Sequence, residues 1–351
     1  MTSHYYAMNE TVQHLYSNNF LRTEKDLQTF LLFLLKGGID KNTRDSIGFA
    51  AARFVEMQTA NKTIGPGGIR LEPRDKQSLD ALQLNGFDIL NPAFSPEELS
   101  ELDRFTKESE VEYGRGSFND AGLSGACLYS DVPPKVRFAH YKTNELCRCP
   151  SAYRIANDKR LLSLVTAYLG APATISTLTM WWSFPSSEPP GGMQMFHHDR
   201  GDFRSCNLFV YLTDVSEATG PHAFVPKTHE MRTLYPYATQ ILQNDPAKLK
   251  KFFKWMEQHR KPDQEVYDYF GESNVQVFTG PKGTSFLEDT RGLHKATIPL
   301  AGPRLAFEIV YSVLPKLNET LVPVSRSELP FLEDPDSIDP LVRYATRQIY
   351  I

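Results

Sequence analysis

The sequence is short of cysteine, of charge excess and of long apolar runs. Four cysteines, Cys127, Cys147, Cys149 and Cys206, are too few in 351 residues for a disulfide scaffold, so a reducing cytoplasm is the expected compartment. Cys147 and Cys149 make a C-x-C pair, but no second pair stands at zinc-site spacing, and the adjacency is taken as coincidence. Forty-two acidic against 38 basic residues leave a formal charge of −4, which offers no footprint for nucleic acid or another polyanion. The longest apolar run, FLLFLL at 30–35, is far too short to span a bilayer. The opening residues, MTSHYYAMNETVQHLY, have neither the basic nor the apolar region of a signal peptide. These lacks exclude a membrane partner and leave a small molecule as the expected one, bound by a monomer or homodimer.

What is present suits a large core: 41% of residues are hydrophobic and 12% aromatic. The first quarter predicts helices. Thr23 is a candidate N-cap and Gly37 a stop for TEKDLQTFLLFLLKGG, a second helix is expected over 43–60, and GPGG at 65–68 separates both from the rest of the chain. GFDIL then predicts a short strand, and Ser95, Pro96 and Glu98 make a capping box for the next helix. Another helix is expected from about 157 to 169, ended by Gly170.

Beyond it the sequence changes character. Runs rich in β-branched and aromatic residues at 173–184, 205–215, 222–226, 275–279, 283–288 and 304–314 predict strands, interrupted by a helical insert at 246–260. Helices first and strands after, without alternation, argue against a doubly wound sheet. They fit a mainly β fold: a double-stranded β-helix, or jelly-roll, core with helices packed outside. The expected division is a helical extension over 1–80 and a jelly-roll domain over 81–351, with its insert near 240–265.

Chemistry concentrates at MFHHDRGDF, 195–203. In extended chain, residues two apart share a face, so His197 and Asp199 point together and His198 points away. One imidazole and one carboxylate need a third ligand to hold a metal; the two-histidine, one-carboxylate triad is the usual site of non-haem Fe(II) oxygenases. Of the nine histidines, His294 at the opening of a late strand is the best-placed third ligand, while His222 and His229 flank a short segment and suit a turn or a supporting role. Arg304, ten residues on, can pair bidentately with the far carboxylate of an oxo-acid whose other end chelates iron.

H-x-D, a histidine about a hundred residues on, and an arginine ten beyond it resemble the pattern of Fe(II)/2-oxoglutarate dioxygenases. FHHD, LTDVSEATGPHAFVPKTH and GLHKATIPLAGPR, with the opening GFDILNPAFSPEEL, are similar to the phytanoyl-CoA dioxygenase family over roughly 85–315. Phe196 stands where that family commonly has tryptophan, and Lys227-Thr228 where it has Gly-Ser; neither change removes a ligand. The resemblance implies Fe(II) on His197, Asp199 and His294, with 2-oxoglutarate clasped by Arg304. It also implies use of molecular oxygen and hydroxylation of a C–H bond of a small metabolite, with release of succinate and carbon dioxide. Asp199 disfavours halogenation, which needs that coordination position for chloride. Trp182 and Gln194 carry side-chain donors near the first ligand and are expected to contact cosubstrate or substrate. Arg200 and Arg204 are candidate contacts for an anionic substrate. A jelly roll holding a metal for hydrolysis or isomerisation, or one that only binds, is the alternative, and Arg304 has no evident task in either.

Overall fold

Side-chain alternation sorts the strands into two sheets that face each other. The computed structural model describes residues 39–350 apart from 60–63, 91–93, 115–121, 315–322, 330 and 333–337. The helix expected between Thr23 and Gly37 lies outside the described residues. In chain order the elements begin with helix α1 (Lys41–Thr59), α2 (Pro73–Asn85), β1 (Phe87–Leu90) and α3 (Pro96–Glu108). Three short strands come next, β2 (Glu110–Tyr113), β3 (Gly125–Leu128) and β4 (Phe138–Tyr141), then helices α4 (Thr143–Leu146), α5 (Pro150–Ala156) and α6 (Lys159–Leu169). After them stand strands β5 (Thr174–Ser183), β6 (Phe196–His197), β7 (Ser205–Tyr211) and β8 (His222–Phe224). The insert comprises α7 (Met231–Ile241), α8 (Pro246–Met256), β9 (Arg260–Lys261) and α9 (Asp263–Phe270). The last elements are β10 (Gln276–Phe278), β11 (Ser285–Glu288), β12 (His294–Ala296), β13 (Arg304–Ser312) and α10 (Pro340–Ala345).

The large sheet runs β1-β11-β7-β13-β5-β4-β2-β3 and the small one β10-β8-β12-β6-β9, with antiparallel pairing throughout. This is the expected jelly roll. On β13, Leu305, Phe307, Ile309 and Tyr311 face outward into a core shared with α5, α6 and the N-terminal helices, while Ala306 faces the small sheet. The space between the sheets is lined with rings: Phe138, Trp181, Phe209 and Phe286 from one, Phe224 and Phe278 from the other. A third core, under the insert, takes Phe196, Ala223 and Leu293 from the outer face of the small sheet.

Local chemistry explains the element ends. Ser95 caps α3 through the expected capping box, Asp158 caps α6 by accepting from Leu161 N, and Gly170 ends α6 at φ +76°. Helix α2 was not expected, because its 13 residues hold few apolar positions; its signals are Pro73 in the first turn and left-handed Gly86 after the last. The insert helix stops at Met256 rather than 260, and its chain then adds β9 to the small sheet. Among the described residues no helix is long and apolar enough to cross a membrane. All four cysteines are free.

Phe307 is fully buried between the large sheet and the outer helices. Phe307→Ala is expected to cost about 3–5 kcal/mol of unfolding free energy, read as a lowered midpoint in urea titration; an unchanged midpoint would refute this account of the outer core.

Candidate metal centre

The small sheet assembles the site. In β6, Phe196 points out to the insert core and His197 points in; before β12, Leu293 points out and His294 points in. The antiparallel register sets His197 directly opposite His294, with ring centroids 4.2 Å apart. Asp199 lies just beyond, where its backbone N donates to Thr290 O at 2.8 Å, and its Oδ1 is 3.8 Å from His197 Nε2. The ligating atoms of His197, Asp199 and His294 all fall within 4.8 Å of one another, the one such group among the described residues. Asp199's side chain is 46% exposed, so the site opens on the carboxylate side.

Both imidazoles are held in the same tautomer. His197 Nδ1 lies 2.9 Å from Met195 O and His294 Nδ1 3.0 Å from Gly292 O. A carbonyl only accepts, so each Nδ1 carries the proton and each Nε2 keeps a free lone pair for a metal. Gly292 allows this turn: a Cβ there would sit 2.4 Å from the Phe224 ring. Burial and the nearby His294 push the His197 pKa down to about 3, so it stays a neutral donor in mild acid.

Behind the pair stand groups that sequence reasoning underrated or missed. His222 stacks on His294 at 5.5 Å, and its Nε2 lies 2.9 Å from Glu288 Oε2. Burial drives the Glu288 carboxyl up to about 8 and His222 down to about 3. A row of polar side chains continues from Glu288 across the inner face of the large sheet. Asn207 is its cross-strand partner, Asn207 Nδ2 donates to Glu308 at 2.7 Å, and Thr179 Oγ1 donates to Glu308 at 3.1 Å. Polar residues on the inward positions of otherwise apolar strands were the legible signal. From the insert, His259 brings its ring to 6.3 Å from that of His197. It was expected within a helix, and the early end of α8 frees it.

Arg304 lies on the inner face in register with Ser183 and is only 2% exposed. Its guanidinium donates to Gly220 O and to Ser183 Oγ, the latter at 3.1 Å, and Nε has no partner. No carboxylate among the described residues pairs with it. Its acceptor Gly220 stands two residues before His222, whose ring stacks on that of His294. A buried guanidinium without a counter-charge is costly, and an anion bound beside it removes that cost.

Two expectations need correction. Trp182 does not reach the site: strand parity sends it to the outer core, where Nε1 donates to Tyr141 Oη at 3.0 Å, and its neighbour Trp181 faces inward instead. Arg204 is closed to substrate by its ion pair with Glu230 at 2.6 Å and by the carbonyls of Tyr168 and Leu169. Arg200 is held by Glu257 O and His198 Nε2. Gln194 is buried three residues before His197, with Oε1 accepting from Gly191 N at 3.3 Å.

Six imidazoles are lowered chiefly by burial: His140 and His229 to about 4, His197 and His222 to about 3, His198 well below 6.5, and the half-buried His259 in the same direction. In the unfolded chain these groups take protons below about pH 6.5, whereas folded they stay neutral, so unfolding binds protons and stability falls with pH. Asp202 and Glu288, raised by burial to about 7 and about 8, act in the opposite sense but are outnumbered. The urea midpoint of the metal-free protein is therefore expected to fall between about pH 6.5 and 4.5; a flat or rising midpoint over that window would contradict the buried neutral imidazoles.

Three solved structures are similar to this one at modest scores. The α-ketoglutarate-dependent epimerase SnoN from nogalamycin biosynthesis matches at TM-score 0.46 and 16% identity over 70% of this chain and 87% of its own. EctD from S. alaskensis with 2-oxoglutarate and 5-hydroxyectoine matches at 0.43 and 17% over 71% and 77%. HygX from Streptomyces hygroscopicus with nickel and 2-oxoglutarate matches at 0.43 and 16% over 71% and 90%. No curated protein matches in sequence. The sequence profile of the phytanoyl-CoA dioxygenase family covers residues 82–297, well over half of the 351, and this chain belongs to that family.

Proposed function

We propose that the protein is an Fe(II)- and 2-oxoglutarate-dependent dioxygenase that hydroxylates a C–H bond of a small-molecule metabolite. Family membership and the His197, Asp199 and His294 group support the iron. The observation that carries the cosubstrate is Arg304, a wholly buried cation on the inner face with an orphaned Nε. The far carboxylate of a keto-diacid supplies the counter-charge it lacks, in the fork geometry that guanidinium favours. When bound, iron and 2-oxoglutarate supply the oxidising chemistry, in which oxygen is consumed and the keto acid leaves as succinate and carbon dioxide.

The chain's own tasks are binding, orientation and water exclusion. Met195 O and Gly292 O hold the Nε2 atoms of both histidines toward one point. Arg304 fixes one end of the diacid, and Gln194 is a further contact on the approach to His197. The rings of Phe209, Phe278 and Phe286, packed around His222 at 4.9, 5.9 and 5.4 Å, keep the inner side dry. Substrate enters from the side of Asp199 and meets the row of Glu308, Asn207 and Thr179.

Arg304→Met is expected to raise the KM for 2-oxoglutarate about 10- to 100-fold, the loss of a charge-assisted pair, while divalent-metal affinity stays as in the wild type. Asp199→Ala is expected to abolish both metal binding and succinate release. Succinate formation measured against Fe(II) and 2-oxoglutarate, with calorimetry for the metal, checks both. Turnover indifferent to 2-oxoglutarate would sink the oxygenase reading in favour of hydrolysis or isomerisation.

A further inference from the structure

Helix α1 lies outside the family's matched span, yet its first turn reaches the back of the metal centre. Its buried stripe is Lys41, Asp45, Gly48, Ala52, Val55 and Thr59, spaced three and four apart on one face. The far half is ordinary: Ala52 and Val55 join the outer core. The near half is charged. Lys41 Nζ donates to the carbonyls of His229 and Arg291, the latter at 3.2 Å. Asp45 accepts from Met231 N at 2.6 Å and from Arg291 Nη1 at 3.4 Å. Gly48 presses on the chain after Asp199, where a Cβ would meet Phe203 O at 2.5 Å.

Arg291 is the hub. Three residues before His294, it donates through Nη1 to Phe203 O at 3.0 Å, through Nη2 to Glu230 at 3.0 Å and through Nε to Asp289 at 2.9 Å. It thus ties the segment carrying His294 to the segment after Asp199, and Asp45 and Lys41 hold it from the helix side. A second link runs through Glu257, whose carboxylate takes Lys41 N at 3.0 Å and Arg44 at 2.9 Å. The Glu257 carbonyl takes Arg200, beside Asp199, at 2.5 Å.

We propose that α1 is a built-in brace of the metal centre, with Lys41 and Asp45 as positioning residues that fix the His294 and Asp199 segments relative to each other through Arg291. This rests on the reading of His197, Asp199 and His294 as metal ligands. Buried ion pairs add little net stability over apolar packing of the same shape, but their directional bonds fix position. An apolar first turn would seat the helix equally well. Lys41, Asp45, Arg204, Glu230, Asp289 and Arg291, buried together, instead lock it in register behind the ligands.

The test uses the full chain and Co2+ without 2-oxoglutarate. Asp45→Asn keeps the side chain's size and an acceptor for Met231 N but removes its charge; Lys41→Met keeps the stem and removes the donors. Val55→Ala, at the far end of the same stripe, loosens the helix without touching either ligand segment. Calorimetry is expected to give Asp45→Asn and Lys41→Met Co2+ affinities about 10- to 100-fold weaker, the size of effect seen when groups supporting a ligand are removed. Their visible Co2+ spectra should also shift, reporting altered ligand geometry. Val55→Ala should lower the melting temperature yet bind Co2+ as the wild type does. If Asp45→Asn fails to fold, Lys41→Met alone decides. Folded charge variants with wild-type affinity and spectrum, or Val55→Ala losing affinity in step with its melting temperature, would overturn the brace and leave the metal centre standing. Wild-type protein that takes up no Co2+ would overturn the metal centre itself, and the brace with it.

Discussion

The register that sets His197 opposite His294 is the constraint on which the site depends. A slip of one residue in either strand would turn an imidazole out of the barrel and a phenylalanine or leucine in, because strand side chains alternate. Packing on the outer face prevents the slip. Phe196 and Leu293, neighbours of the two ligands, are both fully buried against the insert helices. The apolar outer positions thus fix where the polar inner ones point. Met195 and Gly292, each two residues before its histidine, then supply the carbonyls that settle which nitrogen is free.

The same alternation explains what could be read from the sequence. The H-x-D spacing put His197 and Asp199 on one side, and the strand opening at 294 put the third candidate ligand within reach; both rest on local periodicity, which the fold preserves. The place of Arg304 was legible for a similar reason, at the start of the final strand. Trp182 was not, because its ten-residue strand is buried on both faces, by the small sheet on one side and the outer helices on the other. Its inner positions Thr177, Thr179 and Ser183 are the more polar, but a tryptophan stands on each face, and Trp181 rather than Trp182 is the inward one. Helix α2 and the short β2, β3 and β4 were missed because four-residue strands and a helix with few apolar positions carry little pattern of their own. Tertiary contacts complete them.

Glu288, Asn207 and Glu308 illustrate a different limit. Each sits in a strand whose alternation was recognised, yet their relation is visible only once β11, β7 and β13 are adjacent in the sheet. The same holds for Lys41, Asp45 and Arg291, separated by 250 residues at the extremes and joined only in three dimensions. Spacing rules find ligands that share a strand; they do not find groups that meet across crossovers.

Two kinds of buried charge occur in this molecule, and the contrast between them bears on function. Behind the centre, Arg291 and Arg204 are matched by Asp289, Asp45 and Glu230 at distances of 2.6–3.4 Å, so their desolvation is compensated within the chain. The carboxyls of Glu230 and Asp289 are correspondingly held low, Glu230 to about 2 despite its burial. Arg304, equally buried, has two neutral oxygens and, among the described residues, no carboxylate. The same fold neutralises Arg204 and Arg291 with carboxylates and leaves Arg304 without one among the described residues. Removing one partner of a buried pair costs several kcal/mol, about 3–5 in measured cases, and that is the strain a bound carboxylate relieves. On the proposed reading, the matched cluster serves position and the unmatched guanidinium serves affinity for a ligand of opposite charge.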